Sequence, residues 1–362
     1  MMDRLSRLRE ALQERGLDVL VVTQPENRRY LSGYRGETGA LVISPRQAYL
    51  VTDFRFTEQA EREAPLFQVV REDRTQPLGG DFARRLLHLL QDTGTKRVGF
   101  EGHHITLLQY QAWAEALQGL ELVSVENLVE GMRAVKDEAE LAIMREAVAL
   151  TDSAYGYLRD HIRPGLSEKE VAWETEVYMR THGAEKVAFD LIIAAGPNGA
   201  MPHARASERI VREGEPIVID MGACLDGYHS DLTRTICLGQ PDPKFLEMHH
   251  LVRRAQERAE EGIRAGMGAR EADGLARRLI EEAGYGERFG HGLGHGVGLA
   301  IHEAPAVNRN SEEVLRPGMV ITVEPGIYIP GWGGVRIEDM AVIGEDGVEV
   351  LTRASKEPLV PL

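Results

Sequence analysis

Cysteine is nearly absent from this chain: Cys224 and Cys237 are its only two in 362 residues. Two thiols cannot build a disulfide framework or a cysteine-type zinc site. Such low use fits a reducing, cytoplasmic compartment. Long apolar runs are also missing. No stretch reaches the roughly 18 consecutive apolar residues of a membrane-spanning helix, so no membrane partner is expected. The N-terminus does not read as a secretion signal either. Leu5, Leu8 and Leu12 stand at helical spacing among charges, which describes an amphipathic helix. Positive charge is in deficit, with 42 Lys and Arg against 57 Asp and Glu and a net charge of -15. That argues against a nucleic-acid partner, which needs clustered cations for phosphate contacts. Only 6 of the 42 cations are lysine, in keeping with a GC-rich coding sequence. There is no G-x-S-x-G elbow, which sets aside a hydrolase built on a serine nucleophile. No internal repeat or low-complexity tract stands out.

What remains is ordinary in bulk. Apolar residues make up 43% and charged residues 27%, as in a soluble globular protein. The length favours two domains. The first 130 residues alternate strand-like and helix-like segments. Asp18–Thr23 reads as a buried strand. Ala40–Ser44 and Ala48–Thr52 form a hairpin across Pro45. Asp81–Gln91 is a helix with Phe82, Leu86, Leu89 and Leu90 inward, and Arg97–Phe100 is a further strand. The alternation predicts an α/β domain over 1–130. Composition shifts near Glu130. A long helix is expected from Lys136 to about His161, with Leu141, Met144 and Val148 on one face and Pro164-Gly165 beyond its end. The second domain, 131–362, has helices at Phe245–Ile263 and Arg270–Ala283. Its apolar strands are Ile217–Met221, Met319–Glu324 and Val335–Val342.

Acidic residues interrupt these strands. Asp220 sits in Pro-Ile-Val-Ile-Asp-Met-Gly, and Asp231 follows eleven residues later, across the Asp226-Gly227 turn signal. Glu324 ends Val-Ile-Thr-Val-Glu-Pro-Gly, and Glu338 follows fourteen residues later across a second glycine-rich turn. A turn cap or a salt bridge explains any one of them. Four carboxylates in strands are better explained by a cation, because anions brought together repel and hard oxygen ligands suit divalent ions.

The third unusual segment is Phe289-Gly-His-Gly-Leu-Gly-His-Gly-Val-Gly-Leu-Ala-Ile-His-Glu303. It holds His291, His295 and His302, with glycine at every second position from 290 to 298. It is not a phosphate loop, since no Gly-Lys-Ser/Thr follows. It is not an H-E-x-x-H zinc helix, since Ala306 stands where the second His belongs and Pro305 interrupts. His203, in Asn-Gly-Ala-Met-Pro-His-Ala, adds a fourth histidine. Residue chemistry alone leads to a two-domain enzyme with a carboxylate-rich site for one or two metals. Paired ions about 3.5–4 Å apart suit hydrolysis.

The ordered set Asp220, Asp231, His295, Glu324 and Glu338, with His-Gly-Leu-Gly-His-Gly and Val-Glu-Pro-Gly-Ile-Tyr, resembles the metallopeptidases of pita-bread fold. These include methionine aminopeptidase, aminopeptidase P and prolidase. Residues 1–130, with Asn27-Arg-Arg-Tyr-Leu-Ser-Gly33, resemble the creatinase-type N-terminal domain. The resemblance implies an α+β catalytic domain with a curved, mainly antiparallel sheet. It also implies two divalent metal ions, Mn or Co before Zn or Fe. Asp220 would chelate one ion and His295 the other, with Asp231 and Glu338 bridging them. Glu324 would bind the histidine-side ion and exchange protons with the attacking water held between the two ions. His203 and His302 would hydrogen-bond the substrate, and His291 would line the site. Arg336 would orient the nearby carboxylates or pair with one. Tyr228 is either a supporting group or a plain turn tyrosine.

The same resemblance implies hydrolysis of the bond between a first residue and proline, hence small peptides with proline at the second position as partners. It further implies a homodimer. A broader aminopeptidase, or a binding module without activity, are the alternatives. Some prolidases carry an Arg just after the His-Glu motif to hold a dipeptide's carboxylate. Here Glu303-Ala-Pro-Ala-Val307 has none and Arg309 comes later, so dipeptidase and aminopeptidase both stay open.

Overall fold

The computed structural model describes residues 2–72, 79–91 and 93–362. The chain divides into two compact units, Met1–Met132 and Arg133–Leu362. The first is built on six strands: β1 (Val19–Val22), β2 (Ala40–Ile43), β3 (Ala48–Asp53), β4 (Gln68–Glu72), β5 (Arg97–Glu101) and β6 (Glu121–Val125). They lie in the order β4-β3-β2-β1-β5-β6. The β1–β2 and β2–β3 pairs are antiparallel and the other three parallel. The apolar run of β1 is buried at all four positions, as a central strand covered on both faces requires. Helix Gly80–Leu90 sets Phe82, Leu86 and Leu90 into the core against Trp113 of helix Leu107–Ala116, with Leu89 packed at the edge. The α/β reading of this part holds. The N-terminal helix runs Met2–Glu14 and is followed by Gly16 at φ 61°.

The second unit carries fourteen named strands. The first six are β7 (Lys186–Val187), β8 (Ile192–Ala195), β9 (Pro216–Met221), β10 (Ala223–Leu225), β11 (Tyr228–His229) and β12 (Leu232–Leu238). Then come β13 (Gly294–Gly296), β14 (Glu303–Val307), β15 (Val320–Val323), β16 (Gly326–Ile329), β17 (Gly333–Arg336), β18 (Asp339–Ile343), β19 (Val348–Val350) and β20 (Leu359–Val360). Two larger sheets run β20-β12-β9-β8 and β14-β13-β15-β18-β19. Every pair in this unit is antiparallel except β12–β20. The long helix spans Glu138–His161. Asp137 caps it in a reciprocal box with Glu140, and Leu141, Met144 and Val148 are buried. Helices Pro243–Gly262 and Ala269–Glu282 pack with the β13–β15 region in one core.

Two local features place the carboxylates. β10 and β11 form a hairpin whose turn residues, Asp226 (φ 43°) and Gly227 (φ 71°), both adopt the left-handed conformation of a two-residue hairpin turn. The chain then returns as β12 antiparallel to β9, with Thr233 opposite Asp220. The second feature corrects an expectation. Val335–Val342 is not one strand but two, β17 and β18, broken at Ile337-Glu338. β17 pairs with β16 while β18 pairs with β15. Glu324-Pro325 and Ile337-Glu338 therefore face each other where two strands change partner. A carboxylate at such a switch can leave the sheet plane, which accounts for Glu324 and Glu338; Asp220 lies within the paired strand β9.

Candidate metal centre

Asp231, His295 and Glu338 each offer a ligand atom within 4.8 Å of the other two. His295 Nε2 lies 3.6 Å from Asp231 Oδ2 and 3.4 Å from Glu324 Oε1. Its other nitrogen, Nδ1, is 3.0 Å from the Gly296 carbonyl, which can only accept. The neutral ring then carries its proton on Nδ1 and turns a lone pair on Nε2 toward the carboxylates, the usual arrangement of a metal-ligating histidine. Glu324 Oε1 also accepts from Thr322 Oγ1 at 3.2 Å.

Asp220 meets this group from β9. Its Oδ2 accepts from Arg336 Nη2 at 2.5 Å, and its Oδ1 is buried without a partner. Arg336 is buried and makes four hydrogen bonds. It also donates to Thr233 Oγ1 at 3.0 Å, to Tyr328 Oη at 2.8 Å and to the Pro202 carbonyl at 3.2 Å. Thr233 passes the link on, donating from Oγ1 to Glu338 Oε2 at 2.6 Å. Arg336 thus pairs with Asp220 and is linked to Glu338 through Thr233.

Without a cation these acids are driven toward their protonated forms. Burial, then the charges of Asp220 and Glu324, push Asp231 well above the carboxylate range. Burial and Asp231 do the same to Glu338. Glu324 is pushed up to about 7, chiefly by burial. Burial also lowers His295, favouring the neutral form that can ligate. A divalent ion among these groups would remove the repulsion, and the partnerless Asp220 oxygen would be free to meet it. Carboxylates with one imidazole form a donor set that fits divalent first-row ions.

The nine candidate catalytic and metal-binding residues line one cavity of about 510 Å³, and Tyr228 does not. The His302 ring packs edge-on to His295 at 4.3 Å, and its pKa is lowered by burial and by the neighbouring His295 and His203. His291 Nε2 meets Tyr328 Oη at 2.9 Å, and burial drives this ring down to about 4. Tyr228 instead donates to Glu140, on the long helix, at 2.7 Å.

Several supports were not legible in the sequence. The buried Asp273–Arg277 pair holds the glycine-histidine segment. Arg277 donates to the Phe289 and His291 carbonyls, and Asp273 accepts from Leu293 N. Glu303, beside His302, is clamped by Arg133 and Lys136. Glu168 accepts from Ala195 N, Asn198 Nδ2, Ser207 N and Ser207 Oγ, gripping the His203 loop on both sides. Tyr328 had a signal, since it closes the Val-Glu-Pro-Gly-Ile-Tyr motif. Thr233 stands two residues after Asp231 on one strand face, and nothing marked Glu168.

The profile of metallopeptidase family M24 matches residues 142–345, and that of the creatinase/prolidase N-terminal domain matches residues 4–135. A solved Xaa-Pro dipeptidase from Bacillus anthracis is 42% identical, with a TM-score of 0.95, covering 100% of this chain and 99% of that one. An Xaa-Pro dipeptidase of Pyrococcus furiosus is 38% identical over 99% of this chain and 100% of its own. A solved X-Pro aminopeptidase from Thermotoga maritima is 36% identical, with a TM-score of 0.88, covering 96% and 99%. The chain is thus a hydrolase of metallopeptidase family M24, carrying a creatinase/prolidase N-terminal domain ahead of the pita-bread catalytic fold.

Proposed function

We propose that this chain hydrolyses the bond between an N-terminal residue and proline in small peptides. The observation that carries the reading is the convergence of three buried carboxylates, the half-buried Glu324 and His295 on a cavity that His203, His291 and His302 also line. Relatives named for Xaa-Pro activity, alike over nearly the whole chain, support it. An Xaa-Pro bond is a tertiary amide without N–H, so a site for it needs no acceptor there.

Asp220, Asp231, His295, Glu324 and Glu338 would hold two divalent ions, Mn or Co before Zn or Fe, with Asp231 and Glu338 shared between them. Such ions supply Lewis acidity and a lowered water pKa. Glu324, which lines the cavity beside His295, is placed to take a proton at Oε and release it later. His302 and His203 face the cavity as donors toward the scissile carbonyl, where negative charge develops. His291 is fixed by Tyr328. Arg336 holds Asp220 and, through Thr233, Glu338 in ligating geometry. We read the protein further as a cytoplasmic homodimer, which gel filtration and fractionation would test.

The test is a paired assay on metal-stripped and Mn²⁺-reloaded protein, with an Xaa-Pro dipeptide, an Xaa-Pro-Xaa tripeptide and a Met-Ala peptide. Metal-restored cleavage of either proline substrate is expected. Preference for Met-Ala, or no restored turnover, would overturn the reading.

A further inference from the structure

Product length is left open by sequence similarity, because Xaa-Pro dipeptidases and an X-Pro aminopeptidase both resemble the chain closely. The cavity offers a physical answer. Five carboxylates line it: Asp190, Asp220, Asp231, Glu324 and Glu338. Four of these would be offset by the two ions, which leaves Asp190 uncompensated. A dipeptide brings a C-terminal carboxylate into this space within a few ångströms of its scissile bond. A longer peptide brings a neutral amide at that place instead. An enzyme for dipeptides therefore needs a cation in the cavity that is not already engaged.

Two arginines line the cavity. Arg336 is buried and engaged by Asp220, Thr233, Tyr328 and Pro202. Arg205 is exposed, and among the described residues its guanidinium makes no hydrogen bond or ion pair, not even with the exposed Asp190 of the same cavity. It stands two residues beyond His203. Its loop is held at Asn198 on one side and at Ser207 on the other by the buried Glu168 carboxylate. The guanidinium thus extends from a fixed stretch of backbone, with its paired N–H groups open to a planar anion. The other nearby cation, Arg309, is exposed and does not line the cavity. The position after Glu303 holds Ala304, on strand β14, with no charge to offer.

We propose that Arg205 binds the C-terminal carboxylate of an Xaa-Pro dipeptide and makes this chain a dipeptidase. The proposal rests on the Xaa-Pro reading above. It gives Arg205 a specificity role in which it fills the place of the absent arginine after His-Glu.

The experiment compares Mn²⁺-loaded wild type, Arg205→Ala, Arg205→Lys and Arg205→Glu. The substrates are an Xaa-Pro dipeptide, the same dipeptide with its C-terminus amidated, and an Xaa-Pro-Xaa tripeptide. Wild type should prefer the free dipeptide. In Arg205→Ala the ratio of kcat/KM for the free dipeptide to that for its amide should fall about 10- to 100-fold, the worth of one charge-assisted contact. The loss should lie mainly in KM. Arg205→Lys should recover part of the ratio, and Arg205→Glu should invert it. A ratio within twofold of wild type in Arg205→Ala, or a wild type that prefers the tripeptide, would overturn the role of Arg205 while leaving the Xaa-Pro reading standing. A wild type that cleaves none of the three would overturn both.

Discussion

Arg336 Nη2 lies 2.5 Å from Asp220 Oδ2, while the other oxygen of Asp220 is buried with no partner. One carboxylate thus has one oxygen held by the protein and the other without a partner among the described residues. The same guanidinium reaches Thr233, whose hydroxyl fixes Glu338. It also reaches the carbonyl of Pro202, next to His203. A single buried cation therefore joins the ligand group to the histidine loop.

Arg336→Lys should show how much this joint is worth. Lysine keeps the charge but has no planar fork, so it cannot hold Asp220 and Thr233 together. Supporting contacts of this kind are worth about 10- to 100-fold in metal affinity. Calorimetric titration of the metal-stripped variant with Mn²⁺ should show weakening in that range, with kcat reduced alongside. Unchanged affinity would mean that Asp220 needs no help to ligate.

Asp231 stands at the centre of the ligand group, 3.6 Å from His295 Nε2 and beside Glu338. Asp231→Asn should lose bound metal and activity together, by metal analysis of gel-filtered protein and by turnover. Full activity with two bound ions would remove Asp231 from the ligand set. The metal-free state adds a second readout with a definite sign. The folded-state pKa of Asp231 is raised. Its contribution is therefore favourable at low pH and is lost as pH rises through that value. At neutral pH metal-free Asp231→Asn should melt a few degrees above metal-free wild type.

Much of this site was legible because its residues break local rules. Asp220 and Glu338 stand where strands should be apolar, and the glycine-histidine run fits neither a phosphate loop nor a zinc helix. Such violations mark function. The hairpin at Asp226-Gly227 followed from turn chemistry, and the helix expected from Lys136, which begins at Glu138, followed from the spacing of Leu141, Met144 and Val148. The supports obey local rules and so left no mark. Glu168 reads as an ordinary first-turn acid of a helix, although its carboxylate reaches 39 residues ahead to Ser207. Arg277 and Asp273 read as a surface i,i+4 pair, yet both are buried under the histidine segment. Local periodicity also could not show that 335–342 divides between two sheets. That split depends on β15 and β16, which come earlier in the chain.

Glu168→Gln tests the loop anchor. The carboxylate accepts from two backbone N–H groups, one amide and one hydroxyl. The glutamine amide puts donors where an acceptor is required. Each buried donor left unsatisfied costs about 1–3 kcal/mol. The variant should melt lower and lose kcat by more than tenfold, because the loop carries His203. Metal content should stay at the wild-type level, since Glu168 touches no ligand. Loss of metal would show that the loop supports the ligands as well.

His302→Ala separates chemistry from metal binding. The ring packs against His295 at 4.3 Å and lines the cavity. Removing a donor to a developing oxyanion typically lowers kcat about 10²- to 10³-fold. Metal stoichiometry should be unchanged. A variant with wild-type kcat would assign His302 a packing role.

The last expectation concerns acid stability and a residue outside the cavity. His249, on helix Pro243–Gly262, is buried beside Phe245, and burial with the charge of Arg253 drives it down to about 4. An unfolded chain protonates this ring near 6.5. Between those values the unfolded state binds more protons, so folding loses stability as pH falls from 6.5 to 4. Above 6.5 the full contribution is present. The interval corresponds to about 3 kcal/mol. His249→Leu removes the titration and keeps an apolar body in the core. In urea unfolding, the variant's stability relative to wild type should rise by about that amount between pH 7.5 and pH 4. A relative stability that stays constant over this range would show that His249 is not the group that charges on acid unfolding.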